Sequence, residues 1–286
     1  AHVAAGRAPR RDRPGDRVTP AEVAAVEASL VTVRFLGHRV RCVPRFGAKL
    51  ARVEAALHAE YTRAMIATGG GIMQPTFAQW HGVRGVGGYR EGQGWHGHGR
   101  AIDINYRRNG YLAVRTVRSG KVIYGGEATD LPMKAARKAF CDACDRACMA
   151  LDGAPADLSA RKAGESTGSV WDRFDRVSRA VIRYLAPYYP AEDDLDVGEA
   201  DELPGVTIPD QVATDYQALR VPLVVGSPSL SPRTTRNPAK GLIDIPRHTL
   251  VAMDAAGLRV GLCDFGAASS GDAMHVDDAS RIASGA

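Results

Sequence analysis

The octapeptide His96-Gly-His-Gly-Arg-Ala-Ile-Asp103 sets an imidazole and a carboxylate seven residues apart, with Gly97, Gly99 and Ala101 between them. Near the C-terminal end, Ser270-Gly-Asp-Ala-Met-His-Val276 places Asp272 and His275 three apart, so one short turn can aim both at one point. Imidazoles and carboxylates are ligands for a divalent ion, and a further carboxylate can take a proton from an attacking water. Those are the parts of metal-assisted hydrolysis. The small residues let the backbone pass close to a bound ion. Taken singly, each stretch also reads as a loop histidine, a strand-end aspartate or a chance Asp-x-x-His. By simple alternation His98 can share a face with His96, so spacing leaves both as candidate ligands. His2, His38, His58, His81 and His248 have no motif around them and read as surface or packing residues.

Taken together and in this order, the two stretches resemble the M15 family of zinc metallopeptidases, the D-alanyl-D-alanine carboxypeptidase type that acts on peptidoglycan. The family pattern Ser-x-His-x-x-Gly-x-Ala-x-Asp is met by His96, Gly99, Ala101 and Asp103, with Gly94 in place of the Ser. Gly87-Gly-Tyr-Arg90, Asp103-Ile-Asn105, Asn109-Gly-Tyr111 and Gly261-Leu-Cys-Asp-Phe-Gly266 resemble the family's flanking segments, and residues 31–66 its leading strand and helix. The resemblance covers roughly residues 30–125 and 240–280. It implies one zinc ion held by His96, Asp103 and His275, with Asp272 as the catalytic carboxylate and Arg90 facing the substrate carbonyl or carboxylate. It picks His96 over His98 as the ligand. Many carboxypeptidase members carry Glu at the position of Asp272, whereas some endopeptidase-like members carry Asp. The implied activity is hydrolysis of peptidoglycan peptide stems, of the D-alanyl-D-alanine carboxypeptidase type. The alternatives are an L-Ala-D-Glu-type endopeptidase and a non-catalytic, zinc-containing wall-binding module. The implied fold is α+β and Hedgehog/DD-peptidase-like: a small antiparallel sheet with packed helices.

The elements that must position these residues are partly readable. Thr19-Pro-Ala-Glu22 carries a capping pattern that predicts a helix through about Leu30. Val31–Phe35 and His38–Val43 alternate like two strands around Leu36-Gly37. Apolar spacing predicts a long helix over Ala48–Ile66. The glycine-dense stretch Gly69–Arg100 reads as short strands and loops, and Ala101–Ile104 as a strand. Helices are predicted at 132–151 and 168–187, a short apolar strand at Val221–Val225, a helix from Pro246 to about Ala256, and a strand over Leu258–Cys263. Residues 1–20 read as a flexible basic segment and 21–286 as one domain with a largely helical insertion at about 131–235. Trp171, Phe174, Tyr184, Tyr188 and Tyr189 of that insertion read as a core stripe.

Composition narrows the classes. The 286 residues are 45% hydrophobic and 24% charged, which excludes a disordered or fibrous chain. The longest apolar run, Val221–Val225, is far short of the ~20 residues of a membrane span. A net charge of +5 suits an anionic partner, with basic excess over 1–20 and 81–121 and an acidic run over 191–203. No helix-turn-helix, zinc-finger or aromatic RNA-binding signature points to specific nucleic-acid binding. Ala1 is a common residue after a signal-peptidase cut and favours export. The 5 cysteines are an odd number, which argues against a fully paired framework. Cys141, Cys144 and Cys148 share one helical face and read as a buried stripe; a disulfide to Cys42 or Cys263 stays open.

Overall fold

The computed structural model describes residues 20–69, 74–91, 94–105, 109, 111–112, 115–119, 121–124, 131–190, 205–224, 237–264 and 271–278. The fold is α+β, with small antiparallel sheets and packed helices. Helix α1 (Pro20–Ser29) starts on its proline; its expected cap, Thr19, lies outside the described residues. Strands β1 (Val31–Phe35) and β2 (His38–Cys42) form the expected hairpin, in register from Val31↔Cys42 to Phe35↔His38. Its two turn residues, Leu36 and Gly37, both have positive φ, at 48° and 85°, which matches strand twist in a tight hairpin. The Leu36 side chain is buried in the core.

Helix α2 (Pro44–Ala67) buries Phe46, Leu50, Val53 and Leu57, an i, i+4, i+7, i+11 stripe against β1. It begins four residues before the expected start, because Pro44 is pre-organised for the first helical position. The glycine-dense stretch departs from expectation: it contains helix α3 (Phe77–His81). A reciprocal capping box between Thr76 and Gln79 starts it and Gly82, at φ 65°, ends it. Strand β3 (Val86–Gly87) and the single turn α4 (Gly94–Gly97) then lead into β4 (Ala101–Ile104).

Two further antiparallel pairs follow: β5 (Tyr111–Leu112) joins β9 (Gly271–Asp272), and β6 (Arg115–Arg118) joins β7 (Lys121–Tyr124). Helices α5 (Leu131–Asp152), α6 (Thr167–Leu185) and α7 (Asp210–Val224) pack on one another. The predicted strand at Val221–Val225 is corrected here: Val221–Val224 form the end of α7, and Val225 lies outside the described residues. Val212, Tyr216 and Leu219 are buried at i, i+4 and i+7, so packing of a helical face overrides the strand preference of a short valine run. After a 3-10 turn (Pro238–Lys240), helix α8 (Arg247–Ala255) starts behind Pro246 as expected. The strand predicted over Leu258–Cys263 is shorter. Only β8 (Arg259–Val260) is extended, and the chain then coils into α9 (Gly261–Asp264). The Asp264 carboxylate accepts the Val260 N–H at 2.8 Å and closes that turn. Strand β10 (His275–Asp277) completes the main sheet, whose order is β3-β4-β10-β8.

One buried cluster runs through all these parts. It joins Phe35 and Phe46 to Ile102, Ile104 and Val276 of the sheet, and to Phe140, Phe174 and Leu219 of the helices. Burial of each such side chain contributes about 1.5–3 kcal/mol. Phe174 and Tyr189 are buried in it, and Trp171, Tyr184 and Tyr188 pack against it, so the aromatic stripe is core. The five cysteines are all free and buried, with Cys141, Cys144 and Cys148 along the inner face of α5. No helix among the described residues is long and apolar enough to cross a membrane.

Candidate metal centre

Strand β4 is buried along its whole length, and antiparallel pairing sets its Asp103 directly opposite His275 of β10. Cross-strand partners have Cβ atoms about 4.5–5.5 Å apart, so register alone delivers the carboxylate to the imidazole across 172 residues of sequence. His96 arrives from the same side by a local route. It sits in the turn α4; Gly99 N–H then donates to His96 O at 3.0 Å, and Gly99 at φ 64° swings the chain into β4. Gly99 also accepts from Val43 N–H at 3.0 Å. A Cβ there would lie 2.7 Å from Leu30 Cδ2 and 3.2 Å from Val43 N. The small residue serves the close approach of the hairpin and α2.

The three side chains converge. His96 Nε2 lies 3.2 Å and His275 Nδ1 3.3 Å from the same oxygen, Asp103 Oδ1. The two rings meet edge to face at 5.0 Å. All three are nearly buried, at 7%, 3% and 9% exposure for His96, Asp103 and His275. One ligand atom from each lies within 4.8 Å of the others. The far side of every group is held. His96 Nδ1 lies 2.9 Å from Gly88 O, and His275 Nε2 lies 3.3 Å from Asp277 Oδ2. Arg90 donates to Asp103 Oδ2 at 2.5 Å. Burial pushes the Asp103 carboxyl up, but its close polar contacts with His275 and His96 and the neighbouring Arg90 guanidinium outweigh it, holding the group well below the usual carboxylate range.

This arrangement fits a divalent cation. Two imidazole nitrogens and one carboxylate oxygen point inward, while the outer nitrogen of each ring faces an oxygen able to accept a proton from it. Ligating histidines are held in that way, because the outer hydrogen bond fixes which nitrogen carries the lone pair. The buried group His96–Asp103–His275 could therefore hold a metal ion.

Of the residues expected at the site, His96, Asp103, His275 and Arg90 come together. Arg90 is tethered to the group itself: besides its bond to Asp103, its backbone N–H donates to His96 O at 3.4 Å. Asp272 lies in β9, opposite Tyr111 in register and three residues before His275, and its side chain lies outside the described residues; Gly94 starts α4. His98 stands apart from the convergent group, half-buried, with its ring 5.9 Å from that of Trp95. His81 is buried and accepts the Val83 N–H at Nδ1, His248 stacks on Trp80, and His58 stacks on Phe77. Those three are packing residues, as expected.

Sequence reasoning missed Asp277, Arg259 and the Gly88 carbonyl. Asp277 carried a signal: His275-Val-Asp277 on a strand puts both polar groups on one face. Arg259 meets it only through the β8–β10 pairing, and a backbone carbonyl has no side-chain signature. Comparison of the chain with protein-family models, with curated proteins and with solved structures finds no match.

Proposed function

We propose that this protein is a zinc-dependent peptidase of the M15 type, on a Hedgehog/DD-peptidase-like fold, that hydrolyses peptide stems of bacterial peptidoglycan outside the cytoplasm. The observation that carries this reading is the convergence of the nearly buried His96 Nε2, Asp103 Oδ1 and His275 Nδ1. Two imidazoles and a carboxylate, without thiolates, form the three-ligand set of catalytic zinc sites, which leave a position for water or substrate. A zinc ion held there supplies Lewis acidity, polarising the scissile carbonyl and acidifying water.

The chain's own residues do the rest. Asp272, entering the same strand turn as His275, accepts the proton of the attacking water and returns it to the departing amine. Arg90 spends one N–H on Asp103 and has others to donate to the oxygen that gains charge at the scissile carbonyl. A net charge of +5 favours wall peptides with free carboxylates. Cleavage at D-alanyl-D-alanine is the leading reading. The shorter Asp at 272, where many carboxypeptidase members have Glu, favours the second, an L-Ala-D-Glu endopeptidase.

The test is mass analysis of muropeptides with native chain and Asp272→Ala, alongside zinc content. The expected result is one bound zinc in both proteins and a loss of hydrolysis of about 10²–10⁴-fold in the variant. Loss of one Ala from the stem identifies a carboxypeptidase, and release of the whole stem an endopeptidase. Full hydrolysis by the zinc-loaded variant would remove Asp272 from the mechanism. Zinc without any product in the native chain would favour the wall-binding module over the peptidase.

A further inference from the structure

We infer that Asp277 is a positioning residue for the metal centre: it holds His275 in the tautomer that turns Nδ1 towards Asp103 and a bound ion. The inference rests on the metal-centre part of the reading above and does not depend on peptide hydrolysis. His275 has two ring nitrogens in contrasting settings. Nδ1 faces Asp103 Oδ1 at 3.3 Å, and Nε2 faces Asp277 Oδ2 at 3.3 Å. A ligating nitrogen needs its lone pair, so the ring proton must sit on Nε2, and that proton needs an acceptor. Asp277 is 0% exposed, so bulk water does not compete for the bond.

The carboxylate is itself immobilised. Arg259 grips it with both arms, Nε to Oδ1 at 2.8 Å and NH2 to Oδ2 at 2.7 Å. The sheet sets this pair up, since Asp277 and Arg259 are register partners in β10 and β8. The Arg259 guanidinium also lies 6.0 Å from the ring centroid of Trp95, the residue before His96. One arginine therefore ties the support of His275 to the segment that carries His96. A purely structural ion pair would not need the imidazole as third partner. Here Oδ2 is the shared atom, between Arg259 NH2 and His275 Nε2.

The test uses zinc alone as the probe, on the full chain. Zinc affinity is measured by competition with a chromophoric chelator for native protein and Asp277→Asn. Hydrogen exchange of the metal-free proteins checks that the variant keeps its fold. The isosteric amide cannot serve Arg259 and His275 together as an anion does, and the expected loss of affinity is about 10–100-fold. An affinity within about threefold of native, in a folded variant, overturns the inference. Nitrogen NMR of His275 in the zinc-loaded native chain decides independently of the variant's folding: a proton on Nε2 is expected, and a proton on Nδ1 overturns it. A native chain with no affinity for zinc would sink the metal centre and this inference with it. Tight zinc binding without muropeptide cleavage would sink only the peptidase reading.

Discussion

Gly99→Ala is the sharpest test of how the fold delivers His96. The added methyl meets two separate costs. The first is conformational: Gly99 has φ 64°, and an L side chain in the left-handed region costs about 1–2 kcal/mol. The second is steric: the new Cβ would sit 2.7 Å from Leu30 Cδ2, which can swing away, but also 3.2 Å from Val43 N, which is backbone at the start of α2. Overpacking of that kind costs about 1–3 kcal/mol. Alanine also restricts the unfolded chain, which returns about 0.4–1 kcal/mol. The expected net destabilisation is about 1–5 kcal/mol, read from urea unfolding at constant m-value. Gly37→Ala separates the two costs, because Gly37 has φ 85° and open space where its Cβ would go. It should lose only the conformational part, so Gly99→Ala should exceed it by about 1–3 kcal/mol. Equal losses at the two sites would refute the argument that Gly99 is small because the hairpin and α2 pack against it.

Two further outcomes follow from buried titratable groups. Burial, and then the nearby charges of His38, His248 and His58, lower the His81 pKa from 6.5; burial does the same to His248. The unfolded chain therefore takes up these protons first, so their contribution to stability is complete above about pH 6.5 and is lost as pH falls towards the folded values. His81→Asn, which keeps an acceptor for Val83 N–H, should flatten the decline of stability below pH 6.5 in chelator-treated protein; an unchanged slope would show that His81 is not its source. Burial pushes the thiols of Cys42 and Cys148 up to about 11 and those of Cys141 and Cys263 to about 12, with Cys144 raised as well. At pH 8 the thiolate fraction of the four is about one part in a thousand or less. Iodoacetamide should leave the folded chain unmodified and add to all five cysteines after denaturation. Fast labelling of the folded protein would contradict their burial.

The parts of the fold that were legible in the sequence are those whose signal is local. Pro44 with the Phe46–Leu57 stripe specifies α2 by itself, and the β1–β2 hairpin follows from alternation around a tight turn. The order His96, Asp103, His275 was readable because short motifs carry it. Misreadings fell where local and tertiary preferences disagree. The valines at the end of α7 prefer a strand by themselves, yet the helix that contains them has Tyr216 and Leu219 to bury. Helix α3 was hidden by its glycine-rich surroundings, although Thr76-x-x-Gln79 is a capping box in plain view. Asp277 as the partner of His275 needed only strand periodicity; Arg259 as the partner of Asp277 needed the sheet order.

The centre depends on register as much as on residue type. Sliding β10 by one residue along β4 would turn His275 and Asp277 to the opposite face of the sheet and leave Asp103 facing Val276. Three residues of β10 supply few ladder bonds to prevent this. The residue after the strand supplies the missing restraint. Asp278 is buried, its N–H donates to Arg100 O at 2.9 Å, and its backbone carbonyl accepts from the Arg100 guanidinium. Its side chain pairs with Lys49 of α2, and a second oxygen lies 3.6 Å from Arg100. A buried carboxylate stripped of its cations costs about 3–5 kcal/mol, and a one-residue slip would draw Asp278 away from Lys49 and Arg100 together. Arg100 is in turn the residue between Gly99 and β4. The turn that presents His96 and the lock that holds His275 in register are thus adjacent residues of one segment, and both ligands are placed by what happens at positions 99 and 100.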